Sequence, residues 1–411
     1  MPIVLYKNIG LAGADTGGQT STVGEPNVAN RGSRIFYSGN WYATRSLDSG
    51  GSWDLINPFS ALLPVDGGFC CDQTLIYERS RNILVWLLQY IKQGGTNTLR
   101  VAINPGATLG DDDWYWWDFK PEGVNPTWAG EWFDYNHAAT SDNFLYVGTN
   151  VFKAATDIFT RSALLRLPLD ALANAGVLNY SYFSTTDNFS LRCTQGARDV
   201  MYFGSHNTRS QIRVFSWPEN ANAIGFSDID ISQWNANMPY SAPGPDGRNW
   251  LSRCDPRITG GTVADDVLTF AWTVNAADGR PQPHVRVVRI DAGNMNLLSE
   301  PDIWNPNYAF AYPALSSNRR GVSGITLFRG GGAFHPGHVV GVRDDDLGAW
   351  VLKATRNGTD GPADGKWGDY LGILPYSDFG FTWIASGFTL RGGGNRRDIE
   401  PRVVQFGYRS S

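Results

Sequence analysis

Cys71-Asp72-Gln73 opens a run of four short segments: Thr74–Tyr77, Ile83–Gln89, Leu99–Asn104 and Trp114–Phe119. Each has strand length and is rich in β-branched or aromatic side chains. The same rhythm recurs. Small or polar clusters followed by apolar strands begin near Glu25-Pro26-Asn27, Cys71-Asp72-Gln73, Tyr135-Asn136-His137, Cys193-Thr194-Gln195, Cys254-Asp255-Pro256, Ala311-Tyr312-Pro313 and Gly368-Asp369-Tyr370. Their spacing runs from about 46 to 64 residues. The fifth unit repeats the pattern with Arg257–Gly261, Val267–Thr273, His284–Asp291 and a tail around Leu297. Four short strands per unit, repeated, is the pattern of propeller blades. A flat sheet of so many strands would expose edges, whereas radial closure protects them. The last unit supplies three good strands, ending with Arg402–Tyr408, and Ile3–Lys7 can add the fourth and close the ring. The reading is an all-β chain forming a single β-propeller domain over 1–411, with 1–24 as closing strand and lead-in. Seven blades are expected, with six as the alternative count. A large β-sandwich with an added domain would not give this spaced repeat.

Composition supports the reading and narrows the function. Of 411 residues, 18% are charged and the net charge is −5, which gives no electrostatic basis for nucleic-acid binding or for an anionic membrane surface. No run approaches the roughly 18 apolar residues of a membrane span. Aromatic residues at 13%, with 47 Gly and 22 Pro, suit short strands and tight turns. The one helical candidate is the stretch from Pro168 to Ala175. Met1-Pro2-Ile3-Val4 lacks the basic start and apolar core of a leader peptide. Four cysteines, with Cys70 and Cys71 adjacent, and acceptor patterns at Asn179, Asn188 and Asn357 are compatible with a secreted, extracellular protein.

Ser46-Leu47-Asp48-Ser49-Gly50-Gly51-Ser52-Trp53 matches Ser-x-Asp-x-Gly-x-Ser/Thr-Trp. An Asp side chain can accept from turn amides, Gly permits a left-handed backbone, and Trp packs on the blade. The stretch resembles the Asp-box, or bacterial neuraminidase repeat, of sialidase-like propellers. Gly68-Phe69-Cys70-Cys71-Asp72-Gln73 and Lys366-Trp367-Gly368-Asp369-Tyr370 resemble stretches of secreted propellers of that wider group. The resemblance implies a turn between third and fourth strands of a blade, with the ligand site on the opposite face. The Phe/Tyr-Arg-Ile-Pro start of sialidases is not present; Pro256-Arg257-Ile258-Thr259 is its distant echo.

On that opposite face, the openings of the seven first strands would ring a central funnel. They offer Glu25 and Asn27, Asp72 and Gln73, Asp134 and His137, Arg192 and Gln195, Arg253 and Asp255, Tyr312, then Asp369 and Tyr370. Crowded carboxylates push their pKa values apart, as acid–base pairs require. Asp72, Asp255 and Asp369 are therefore the acid–base candidates, with His137 and Tyr370 as proton-transfer partners. Arg192 or Arg253 would clamp an anion, and Gln73, Gln195, Tyr312 and Asn27 would contact substrate. The competing reading has these residues satisfying one another and holding the inner strands in register.

All five histidines, His137, His206, His284, His335 and His338, fall in connections or strand openings on the same side. His335-Pro336-Gly337-His338 is a weak metal-site pattern. No cofactor is required, although the acidic run Asp111-Asp112-Asp113 admits calcium and the histidines a transition metal. Trp114, Trp116 and Trp117 read first as packing on an outer strand. Of the cysteines, Cys70–Cys71 and Cys193–Cys254 are candidate pairs, with buried thiols the alternative for the latter.

The function expected is a secreted carbohydrate-active propeller that cleaves a glycan, as hydrolase or lyase, at the funnel. The alternative is a non-catalytic propeller that binds a glycan or a protein. The expected partner is a glycan or another polar small molecule.

Overall fold

A computed structural model describes residues 2–409 apart from Asp112, Asp278 and Phe379, so Asp112 of the acidic run lies outside the described residues. The chain forms seven four-stranded antiparallel sheets, each one blade. The first blade holds β2 (Asn27–Arg31), β3 (Arg34–Ser38), β4 (Ala43–Ser46) and β5 (Asp54–Ile56). The second holds β6 (Phe69–Glu78), β7 (Ile83–Tyr90), β8 (Leu99–Pro105) and β9 (Tyr115–Phe119). The third holds β10 (Glu131–Thr140), β11 (Phe144–Lys153), β12 (Phe159–Pro168) and β13 (Ser181–Thr185). The fourth holds β14 (Arg192–Cys193), β15 (Val200–Thr208), β16 (Gln211–Pro218) and β17 (Gly225–Asp230). The fifth holds β18 (Ile258–Ala264), β19 (Val267–Val274), β20 (His284–Asp291) and β21 (Leu297–Ser299). The sixth holds β22 (Ala309–Ser317), β23 (Ser323–Gly331), β24 (Phe334–Asp344) and β25 (Ala349–Arg356).

The seventh blade is built from both ends of the chain. β26 (Ile373–Pro375), β27 (Trp383–Leu390) and β28 (Ile399–Tyr408) are completed by β1 (Ile3–Gly10), which runs antiparallel to β28 from Ile3↔Tyr408 to Gly10↔Arg402. Each inner strand touches the inner strand of the next blade, including β26 with β2, so the ring is closed. The closing strand is longer than the sequence suggests, because Asn8 and Ile9 continue the ladder opposite Val404 and Val403.

Alternation along the strands places one apolar row on each side of a blade, and these rows meet between blades. Val85, Leu87, Val101 and Ile103 of the second blade pack on Leu145, Val147, Leu165 and Leu167 of the third. Phe328, Val340 and Val342 of the sixth pack on Trp383, Ala385 and Phe406 of the seventh. Trp116, on outer strand β9, lies under the Arg100 guanidinium at 4.6 Å, and Trp114 meets Trp86 edge-on at 5.3 Å. The tryptophan run is therefore blade packing. The helical stretch appears as α2 (Leu169–Ala173), after a short turn α1 (Pro121–Val124).

The Ser46–Trp53 turn joins β4 to β5. Asp48 Oδ1 accepts from Ser52 N at 2.9 Å, Asp48 Oδ2 from the Ser52 hydroxyl at 2.7 Å, and Ser46 Oγ from Gly50 N at 2.8 Å. Gly50 has φ +92°, where a side chain would be strained. The Ser52 amide and hydroxyl hold the Asp48 carboxyl down at about 2. The turn shares its disc face with the connections between first and second strands. The openings of first strands and the connections between second and third strands lie on the other face.

Candidate functional site

The inner strands do not enter the ring as plain ladder. In β6, Cys71 pairs with Gln89 and Gln73 with Leu88, which leaves Asp72 as an extra residue. In β10, two residues, Tyr135 and Asn136, face one between Asp134↔Asn150 and His137↔Gly148. In β22 the slip lies between Ala311 and Ala314. Asp72, Tyr135 and Tyr312 have φ of 44°, 59° and 57°, and Glu25, ahead of β2, has φ 43°. Left-handed non-glycine backbone costs about 1–3 kcal/mol per residue and collects at functional sites. Here four such residues stand at four blade openings on one end of the axis.

The bulges gather a cluster of charge. Arg257 Nη2 is 2.7 Å from Asp255 Oδ2 and 3.5 Å from Asp369 Oδ2, and Arg257 Nε donates to Asp255 Oδ1 at 2.9 Å. Arg253 Nη2 is 3.7 Å from the same Asp369 oxygen. The Arg257 guanidinium lies 3.9 Å from the centroid of the Tyr135 ring, and Tyr135 meets Tyr370 edge-on at 6.0 Å. Arg192 Nη2 donates to the Tyr135 hydroxyl at 3.1 Å. Asp134 Oδ1 accepts from Gln89 at 3.0 Å. Gly368 sits so close to the first blade that a Cβ there would be 3.0 Å from Gly24 N and 3.2 Å from Glu25 N. The Asp369 and Glu25 lead-ins are thereby brought side by side.

Two arginines against five carboxyls leave negative charge uncompensated. Burial, then the neighbouring Asp72 and Asp369, hold Glu25 well above the usual carboxylate range. Burial and the Asp134 charge push Asp72 up to about 7, opposed by its hydrogen bond with Glu25. Burial raises Asp134 and Asp369 as well, with Arg257 and Arg253 pulling Asp369 back. Burial and mutual repulsion thus favour the protonated form of the Glu25–Asp72 pair, beside Asp255 and Asp369 in contact with Arg257.

The expected site residues divide. Asp72, Asp255, Asp369, Tyr370 and Arg253 come together at the funnel. Tyr370 is buried there, and burial beside Asp72 raises its hydroxyl well above the ordinary range. Arg192 sits deeper, bound to Tyr135 and to the Ile258 carbonyl at 3.3 Å. His137 lies beneath the cluster, lining a small axial cavity of about 50 Å³ with Arg192 and Tyr370. Burial, with Arg192 beside it, drives the His137 pKa well below its usual value. It is a neutral ring in the channel wall, apart from the carboxylates.

Four residues expected to contact substrate are engaged in holding the ring. Gln73 donates to the Gly39 and Tyr42 carbonyls at 2.7 and 3.0 Å and accepts from Trp86 at 2.8 Å. Gln195 donates to the Ala138 carbonyl at 2.8 Å and Asn27 to that of Gln73 at 3.2 Å, each bridging to a neighbouring blade. Tyr312 is buried against Trp250 and Phe328 and donates to the Trp367 carbonyl at 3.3 Å, which steadies the lead-in to Asp369.

The histidines lie in strands rather than in the connections, His137 in β10, His206 in β15, His284 at the start of β20 and His335 and His338 in β24, and they do not converge. His338 is fully buried, with Nε2 2.6 Å from the Thr326 hydroxyl and Nδ1 2.7 Å from that of Thr355. Both ring nitrogens are engaged with hydroxyls. His335 faces Asp246 at 3.8 Å, and His206 packs between Trp234 and Trp272. Among the described residues no group of three or more His, Cys, Asp or Glu is placed to hold a metal ion. Cys70 is joined to Cys71 beside Asp72, while Cys193 and Cys254 are separate buried thiols. Burial pushes Cys193 up to about 12.

Sequence reading passed over Arg257, seen only as part of the Pro256–Thr259 echo, and gave no role to Glu25, Asp134 or Tyr135. The usable signal was Asp255-Pro256-Arg257, where an Asp two residues before an Arg can bond both its amide and its side chain. Asp255 Oδ1 accepts from Arg257 N at 2.9 Å.

The fold and this cluster define a seven-bladed β-propeller with a carboxylate-rich site at one end of its axis. No protein-family profile matches the chain, and a search of curated proteins finds no match. Solved structures similar to it include a protein of unknown function from Dyadobacter fermentans, at 8% identity over 99% of each chain with TM-score 0.49. An α-L-arabinofuranosidase from Fusarium graminearum aligns over 98% of this chain and 97% of its own, at 10% identity and TM-score 0.46. A Trypanosoma rangeli sialidase aligns over 87% of this chain and 56% of its own, at 10% identity and TM-score 0.44. These likenesses concern the fold alone.

Proposed function

We propose that the funnel is an acid–base site that cleaves a glycan. The observation that carries this reading is the cluster that sets Asp255 and Asp369 against Arg257 beside Glu25 and Asp72, two carboxyls that burial raises. Glycoside cleavage uses one carboxyl as acid and a second as base or nucleophile. Asp72, at about 7, is the acid that exchanges its proton near neutrality. Asp255, with three N–H contacts from Arg257 and an exposed edge, is the carboxylate partner. Asp369 positions Arg253 and Arg257. Arg253, nearly half exposed, is the group that would meet an anionic sugar. Burial raises the Tyr135 and Tyr370 hydroxyls further above their ordinary range, which disfavours a lyase with a tyrosinate base.

The test is release of reducing ends from a panel of acidic and neutral glycans. The wild-type protein is expected to cleave at least one, with activity falling as pH rises through about 7. Asp72→Asn should lower kcat by about 100-fold or more. Binding with intact glycan recovered throughout would support the non-catalytic alternative instead.

A further inference from the structure

The other end of the axis carries a second cavity with different chemistry. It has a volume of about 960 Å³, at the upper end of the roughly 300–1,000 Å³ common for ligand pockets. It is formed by turns between first and second strands. Those of the second, fourth and sixth blades contribute Arg79, Arg198 and Arg319, so the guanidinium groups come from alternate positions around the ring.

These arginines are largely unspent. Arg79 donates to the Ser377 carbonyl at 3.1 Å. The Arg198 and Arg319 guanidinium groups have no hydrogen-bond or ion-pair partner among the described residues. The carboxylates of the same wall are mostly committed. Glu78 accepts from the amides of Ser80 and Arg81 at 2.8 and 2.7 Å, and Asp170 pairs with Arg81 at 2.8 Å. Asp142 is the opposing charge that is left. Ser316, also in the lining, has a buried hydroxyl with no hydrogen-bond partner.

We propose that this mouth binds a small ligand bearing two or more oxyanion groups. Three arginines from separate blades match several oxyanions at once, because each guanidinium presents a planar fork of donors to carboxylate, sulfate or phosphate oxygens. The site is independent of the acidic funnel. Between them lies a small axial cavity of about 50 Å³, with Arg192 and Tyr370 in its lining.

Calorimetric titration of the full chain at low ionic strength with inorganic pyrophosphate and with digalacturonate tests this. Saturable one-to-one binding is expected, and the tighter probe tells whether a phosphate or a carboxylate sugar is the better fit. The double variant Arg198→Ala/Arg319→Ala should weaken binding at least about tenfold, because it removes two charged donors to the ligand's oxyanions. Asp142→Asn, which removes the opposing charge from an exposed turn, should tighten it about threefold. Absence of saturable heat with both probes overturns the proposal. So does a double variant that binds as well as the wild type.

Discussion

The two ends of the propeller axis are made by the same inner strands, yet their charged groups behave differently. At the funnel end, Glu25, Asp72, Asp134 and Asp369 sit on lead-ins or bulges that pack them together, and burial raises all four. At the opposite end, Arg79, Arg198 and Arg319 sit at hairpin turns and stay exposed. Backbone geometry makes the difference. A left-handed residue at the start of a strand puts its neighbours on the sheet face and crowds its own side chain with those of adjacent blades. A hairpin turn of four to six residues, as at these three arginines, projects its side chain into water. Chemistry that depends on shifted pKa values therefore belongs to the first end, and ordinary charge recognition to the second.

Breaking the funnel should cost most. Arg257→Ala leaves Asp255 and Asp369 without their main counter-charge and is expected to destabilise the protein by about 3–5 kcal/mol, read by chemical denaturation. Arg257→Lys, which keeps the charge, should cost less. The pH dependence of stability sharpens the contrast further. Asp72 holds its proton in the folded protein up to about 7, against about 3.9 when unfolded. Its contribution is fully present below about pH 4 and is lost as pH rises through about 7. Tm should therefore fall between pH 5 and 8 in the wild type and fall less in Asp72→Asn, with the residual slope belonging to Glu25. At the other end, Arg198→Ala should change stability by no more than about 0.5 kcal/mol, because the side chain is exposed and unpaired.

The blades were legible because strand periodicity and spacing survive without sequence identity between repeats. The closing role of Ile3–Lys7 followed from the missing strand of the last unit. Side-chain direction at the openings was not legible. Asp72 and Gln73 are neighbours, but one belongs to the carboxylate cluster and the other is tied to Gly39, Tyr42 and Trp86. The positive φ of Asp72 decides between them, and nothing in Cys71-Asp72-Gln73 announces it. His137, Gln195, Asn27 and Tyr312 were at the right end of the axis for the same positional reason, and serve the ring. Arg257 was hidden because its importance arises from Asp369 and Tyr135, which are distant in sequence. His335 and His338 of β24 are three residues apart, and period two on a strand sends them to opposite faces.

The proton on the Glu25–Asp72 pair is the centre of the account, and it can be observed directly. Carboxyl titration of the ligand-free protein by carbon-detected NMR, wild type against Asp72→Asn, should reveal a wild-type carboxyl that titrates near pH 7 and is missing from the variant. If every carboxyl in the wild-type protein has finished titrating below about pH 5.5, the funnel holds no such proton and the acid–base reading is wrong.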